Sequence, residues 1–164
     1  MMKGDWNDDV VWSNTAYPLA ALGAWGSPLA VFVVAVTGTL LAIGSGAYHA
    51  ANNDDTRKLD TVSMMGYLSS VTGCLLYPSL GLAIAPVAYA VYWMTETDSQ
   101  IHVPAWAICA LSIVTVKAGW WALVPLALFA SAGTLQLTTG TGSAWHSLWH
   151  VLGAAAAGAA LYLI

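Results

Sequence analysis

Residues 28–49 read PLAVFVVAVTGTLLAIGSGAYH. The run carries no formal charge before its terminal histidine. Its length matches the roughly 20 residues an α-helix needs to cross a hydrocarbon core. The apolar residues are continuous rather than alternating, which argues against a barrel strand. Backbone in lipid must satisfy its own hydrogen bonds, and a helix does so within one segment. Pro28 suits the first helical turn. The run therefore predicts an all-α integral membrane protein.

Composition points the same way. The chain has 164 residues, 59% hydrophobic and only 7% charged, with a mean hydropathy of +0.69. Soluble domains carry roughly 25% charged residues. A soluble globular enzyme and a disordered chain are therefore excluded. Four Lys and Arg residues leave no basic patch for phosphates, so nucleic acid is not a partner. Nine Trp and seven Tyr against two Phe suit a membrane–water boundary. Cys74 and Cys109 lie within apolar runs and read as small core residues. The first apolar stretch follows Asp5, Asp8 and Asp9, whereas a secretory signal peptide needs a positive start, so none is read.

On the C-terminal side of residues 28–49 lies a polar break, NNDDTRK at 52–58. Residues 59–94 are too long for one span and divide at Pro78-Ser79 into two helices with a tight turn. A second polar break covers 95–102. Residues 103–137 again make two helices, divided near Lys117-Ala118-Gly119. TTGTG at 138–142 is a short loop, and 143–164 is a further helix with Ser143 as its N-cap. On the N-terminal side, residues 12–26 give a short first helix bracketed by Pro18 and Gly26-Ser27-Pro28. The expected architecture is a seven-helix membrane bundle with very short loops, or a six-helix one if 12–26 does not span. It forms a single transmembrane domain over 1–164, with 1–12 as an acidic N-terminal segment. The small residues at 153–160 allow close helix approach. With seven spans, Lys3, Arg57 and Lys58 share the N-terminal side and Lys117 faces the other. The positive-inside rule then makes the N-terminal side cytoplasmic, although every Asp and Glu lies there too.

Ionisable groups at membrane depth are costly and mark function by default. His146 and His150 form HxxxH, and residues four apart share one helix face. Two imidazoles so placed can reach one metal ion. Beside Trp145 and Trp149 they also read as interfacial residues. His49 ends the helix that begins at Pro28, with Ser45 one turn before it. Asp60 opens the next helix, where the dipole alone favours a carboxylate. Each residue singly has a bland reading. Together, the helix count puts His49, Asp60 and His146 at one membrane face, with His150 one turn deeper. Three histidines and a carboxylate at one depth form a catalytic zinc inventory. His102 also lies on that side and reads as interfacial; Lys117 reads as snorkelling at the other.

These residues carry a resemblance. GSGAYH at 44–49, Leu59-Asp60 and AWHSLWH at 144–150 resemble the CREST superfamily of seven-helix membrane proteins. That superfamily includes alkaline ceramidases, and the progestin and adipoQ receptor family with hemolysin III. Its shared pattern is SxxxH on the second helix, Asp at the start of the third and HxxxH on the seventh. Asn14-Thr15 resembles the Asn-Thr that opens the first helix of alkaline ceramidases. Asp5-Trp6 with Asp8 resembles their acidic calcium-binding segment, so a Ca2+ site at Asp5 and Asp8 stands beside a solvated acidic tail. The ceramidase Glu before Asn-Thr is missing here, with Val11 and Trp12 nearby instead. Tyr48-His49 and the run Arg57-Lys58-Leu59-Asp60 look more like hemolysin III.

The resemblance implies Zn2+ held by His49, His146 and His150. Zinc lowers the pKa of bound water from 15.7 to about 7. Asp60 then serves as general base and acid, or holds the water as an outer ligand, and Ser45 stabilises the developing oxyanion. The implied reaction is hydrolysis of the amide bond of a ceramide-like or other N-acyl lipid entering from the bilayer. Tyr48, Tyr67, Trp145 and Trp149 are candidate substrate contacts at the mouth. Two other readings stay open. One is a non-catalytic receptor-like or hemolysin III-like protein with a structural zinc. The other is a small accessory subunit of a membrane complex. A proton channel is disfavoured because the ionisable groups gather at one face.

Overall fold

The computed structural model describes residues 9–95, 99–138 and 144–164, with no strand among them. The candidate calcium residues Asp5 and Asp8 lie outside the described residues, as do the proposed cap Ser143 and most of the TTGTG loop. The described residues begin with three short helical pieces rather than one helix. These are α1 (Asp9–Ser13), α2 (Ala16–Leu19) and a 3-10 segment (Ala20–Ala24). Six longer helices follow: α3 (Pro28–Ala51), α4 (Asp54–Leu76), α5 (Pro78–Thr95), α6 (Ser99–Ala118), α7 (Leu123–Thr138) and α8 (Ala144–Tyr162). A 3-10 turn at Gly119–Ala122 separates α6 from α7.

Local chemistry explains these boundaries. Ser27 caps α3 by accepting from the Ala30 N–H at 3.3 Å, and Pro28 follows it. Asn52 ends α3 in the left-handed region at φ 48°, a conformation Asn tolerates better than most residues. Asn53 then starts α4 with a reciprocal capping box. Its side chain accepts from Thr56 N–H at 3.0 Å, and Thr56 Oγ1 accepts from Asn53 N–H at 3.3 Å. Asp54 and Asp55 add favourable charge at that helix start. The polar run at 52–58 is thus mostly helix, and α4 begins earlier than Leu59. Asp60 sits in its second turn, beyond the first-turn reach of the dipole.

At the far end, Tyr77 is extended, as a residue before proline must be, and Pro78 opens α5. Lys117 reaches back from α6 and donates to the Leu75 carbonyl at 2.6 Å and the Leu76 carbonyl at 3.2 Å. It caps the C-terminus of α4, where a cation is favoured, a more specific role than snorkelling. Gly119 follows α6 at φ 60°, which suits glycine and turns the chain.

Helix α4 is the centre of the packing. It lies against α3, α5 and α6, and it also touches α8. Helix α8 packs on α7 and returns against α1, α2 and the N-terminal 3-10 segment. Small residues permit that return: a Cβ on Gly23 would overlap the Gly158 carbonyl. The core includes Tyr17, Val34, Leu41, Tyr67, Leu75, Val114 and Leu161. Outside it, Ile101, Ile108, Val116, Trp120, Leu123 and Leu137 are exposed. Two stretches, Pro28–Ala51 and Ile101–Leu135, are long and apolar enough to cross a membrane.

Candidate metal centre

The turn at Asn52 and Asn53 folds α4 back on α3, so the end of one helix meets the start of the other. His49 lies at that end of α3. His146 and His150 arrive from the first turns of α8. The ligand nitrogens of His49, His146 and His150 all lie within 4.8 Å of one another. Ring centroids are 5.1 Å apart for His49 and His146, 5.5 Å for His49 and His150, and 4.8 Å for His146 and His150. His146 is 2% exposed and His150 0%, whereas His49 is half-buried. One side of the cluster is therefore the open one.

The nitrogen spacing suits a metal. His150 Nε2 stands 3.2 Å from His146 Nε2. Two nitrogen ligands at about 2.05 Å from a tetrahedral zinc are about 3.3 Å apart. Neutral imidazoles offer one lone pair each, so this approach needs a shared proton or cation between them. The grouped histidines could hold a metal ion; among the described residues the group has no fourth histidine, cysteine or carboxylate.

Ser45 is buried one turn before His49, and its hydroxyl is poised to donate to the Asp60 carboxylate. A Cβ on Gly44 would lie only 3.0 Å from the Leu59 carbonyl, so glycine there sets the close approach of α3 and α4 that brings this pair together. Tyr48 packs its ring 5.4 Å from His49. Trp149 lies 5.1 Å from His146 and 4.6 Å from His150, flanking the cluster. Trp145 is exposed. Tyr67 sits deeper than a mouth residue, 1% exposed, with its hydroxyl unpartnered among the described residues.

The structure adds two residues that sequence reasoning missed. Ser13 Oγ lies 3.3 Å from His150 Nδ1. Tyr17 is buried with its ring 5.8 Å from His150 and packs edge-on against Tyr67 at 5.4 Å. Their four-residue spacing before Pro18 was the available signal, but it has meaning only once α1 and α2 are seen to dock on α8. Asn14 is fully buried between them in sequence and donates to the Val11 carbonyl at 3.4 Å. His102 is placed elsewhere. Its Nδ1 is 3.5 Å from the Tyr92 hydroxyl, which also accepts from Trp106 Nε1 at 3.0 Å. That triad ties α5 to α6 and takes no part in the histidine cluster.

No protein-family model, curated protein or solved structure matches the chain.

Proposed function

We propose that the chain is a multi-pass membrane protein whose histidine cluster holds zinc and hydrolyses a lipid amide of the ceramide or N-acyl type. One observation carries this reading. Three clustered histidines include no fourth protein ligand among the described residues, and one turn from His49 on α3 Ser45 pairs with Asp60 of α4. Structural zinc sites are normally closed by four protein ligands, whereas catalytic ones use three and keep a position open. The exposed apolar faces of α6 and α7 support burial in lipid, where such side chains are at home.

His49, His146 and His150 would hold the ion. When bound, zinc supplies a polarising charge and makes water nucleophilic near neutral pH. Asp60 accepts the proton of the attacking water and returns it to the leaving amine. Ser45 orients that carboxylate, and once Asp60 is protonated the serine hydroxyl is free to turn to the developing oxyanion. Tyr67 offers its buried hydroxyl to a polar group of the lipid. Tyr48 and Trp149 line the approach from the bilayer.

A second reading is favoured by the near-complete burial of His146 and His150: a structural zinc in a receptor-like, non-catalytic protein. Metal analysis of the purified protein beside His146→Ala comes first. The proposal expects one zinc per chain, lost in the variant, and release of fatty acid from an N-acyl lipid in mixed micelles. Zinc without release, across amide and ester lipids, favours the structural reading. No metal in the wild type removes both and leaves an accessory subunit.

A further inference from the structure

The N-terminal pieces α1 and α2 lie across α8 and bring two side chains to one imidazole. Ser13 Oγ meets His150 Nδ1 at 3.3 Å, and the Tyr17 ring packs against the same imidazole. The strap reaches this close through small residues, with Gly23 against Gly158 and Gly153 beside the Tyr17 hydroxyl. We infer that Ser13 is a positioning residue of the metal centre, holding His150 so that Nε2 faces the other two histidines. The inference rests on the zinc reading above.

The chemistry is specific to a hydroxyl. A ligating histidine usually gives its second ring N–H to an acceptor, which selects the tautomer and orients the ring. Ser13 is that acceptor when Nδ1 carries the proton and Nε2 keeps its lone pair for the ion. In the metal-free protein the Nε2–Nε2 approach of 3.2 Å needs a proton between the rings. Where that proton sits on His150 Nε2, the serine hydroxyl rotates and donates to Nδ1 instead. A hydroxyl serves both states, and a methyl group serves neither. The ring is thus held before the ion arrives.

The test uses the full chain purified in detergent, with zinc affinity measured by competition against a chromogenic chelator. Ser13→Ala is compared with Ser13→Thr and Ser13→Val, which have nearly the same shape and differ in the hydroxyl. Losing such an outer partner typically lowers metal affinity about 10–100-fold. Ser13→Ala and Ser13→Val are expected to show that loss, and Ser13→Thr to stay near the wild type. The visible spectrum of the cobalt-substituted protein is expected to shift in the first two and not in the third. Should Ser13→Ala fail to fold, the Thr–Val pair carries the comparison alone. Equal affinity and unchanged spectra in Ala and Val overturn the inference while leaving the zinc reading intact. Equal weakening in Thr and Val overturns it as well, because shape rather than the hydroxyl is then responsible. A wild type that binds no zinc overturns both.

Discussion

Helix α4 buries Ser63, Ser69, Ser70 and Thr72, while the stretch from Ile101 to Leu135 leaves most of its apolar surface uncovered. In that stretch only 17% of the most apolar window is buried, against 50% in Pro28–Ala51. A water-soluble protein shows the opposite relation, with large apolar groups inside and hydroxyls outside. The inversion teaches that polarity sorts by the chemistry of the partner, not by depth. Three of these α4 hydroxyls donate to carbonyls of their own helix: Ser69 to Gly66 at 2.9 Å, Ser70 to Tyr67 at 2.8 Å and Thr72 to Leu68 at 2.8 Å. They enter the interior already satisfied, and their small size lets α3 and α5 come close. The bulky residues of α6 and α7 gain nothing from that interior, and the proposed lipid setting would accommodate them.

The sharpest test of the polar side is Asp60→Asn. It preserves shape and removes the base, so amide hydrolysis is expected to fall about 10²–10⁴-fold with zinc content unchanged. Single-turnover rates beside metal analysis check it; an unchanged rate removes Asp60 from the chemistry. On the apolar side, Ile108→Lys places a charge on an exposed face of α6. If that face meets lipid, the charge costs about 2.5–3.5 kcal/mol near the centre of a span. In water the same change would stay within about 0.5 kcal/mol. Thermal unfolding in bilayer discs distinguishes the two, and a small effect breaks the comparison.

Smaller effects probe the close packing of α4. A Cβ on Gly73 would stand 2.8 Å from the backbone of Gly81 in α5. Gly73→Ala is therefore expected to destabilise by about 1–3 kcal/mol through overpacking. An alanine at Gly133, which has open space around it within α7, is the control and should instead gain about 0.5–1 kcal/mol. Least of all, Ser70→Ala removes a 2.8 Å hydroxyl contact to Thr37 on α3. Interhelical hydrogen bonds of this kind average about 0.6 kcal/mol. A double-mutant cycle with Thr37→Val isolates the pair, and a coupling near zero would show that each hydroxyl is content with its own helix.

Much of this arrangement is readable from residue order. Continuous apolar runs, Pro28 and Pro78 mark the long helices, because span length and proline geometry are local constraints. The four-residue spacing of His146 and His150 shows that they share a face. Bringing His49 to them needs the helix hairpin, which the polar run at 52–58 signals without giving its shape. Asn52 and Asn53 carry that shape, since one takes a left-handed conformation and the other caps α4. The N-terminal region is less legible. Residues 12–26 have the apolar content of a helix, yet the chain breaks into short pieces. Docking on α8 through Gly23 and Gly158 is a tertiary matter that no local pattern encodes. Ser13 and Tyr17 were missed for that reason, as was the Lys117 cap, whose partners lie on another helix.

The contact between Ser13 and His150 joins positions 137 residues apart in the chain. During synthesis, a nascent polypeptide with α1 to α7 already made holds a single histidine of the cluster, His49. His146, His150 and the ring that Ser13 contacts come only with α8. The histidine group is therefore completed in one step, when α8 docks on the helices made before it. On the proposed reading, the lipid hydrolase stays inert until that step is complete.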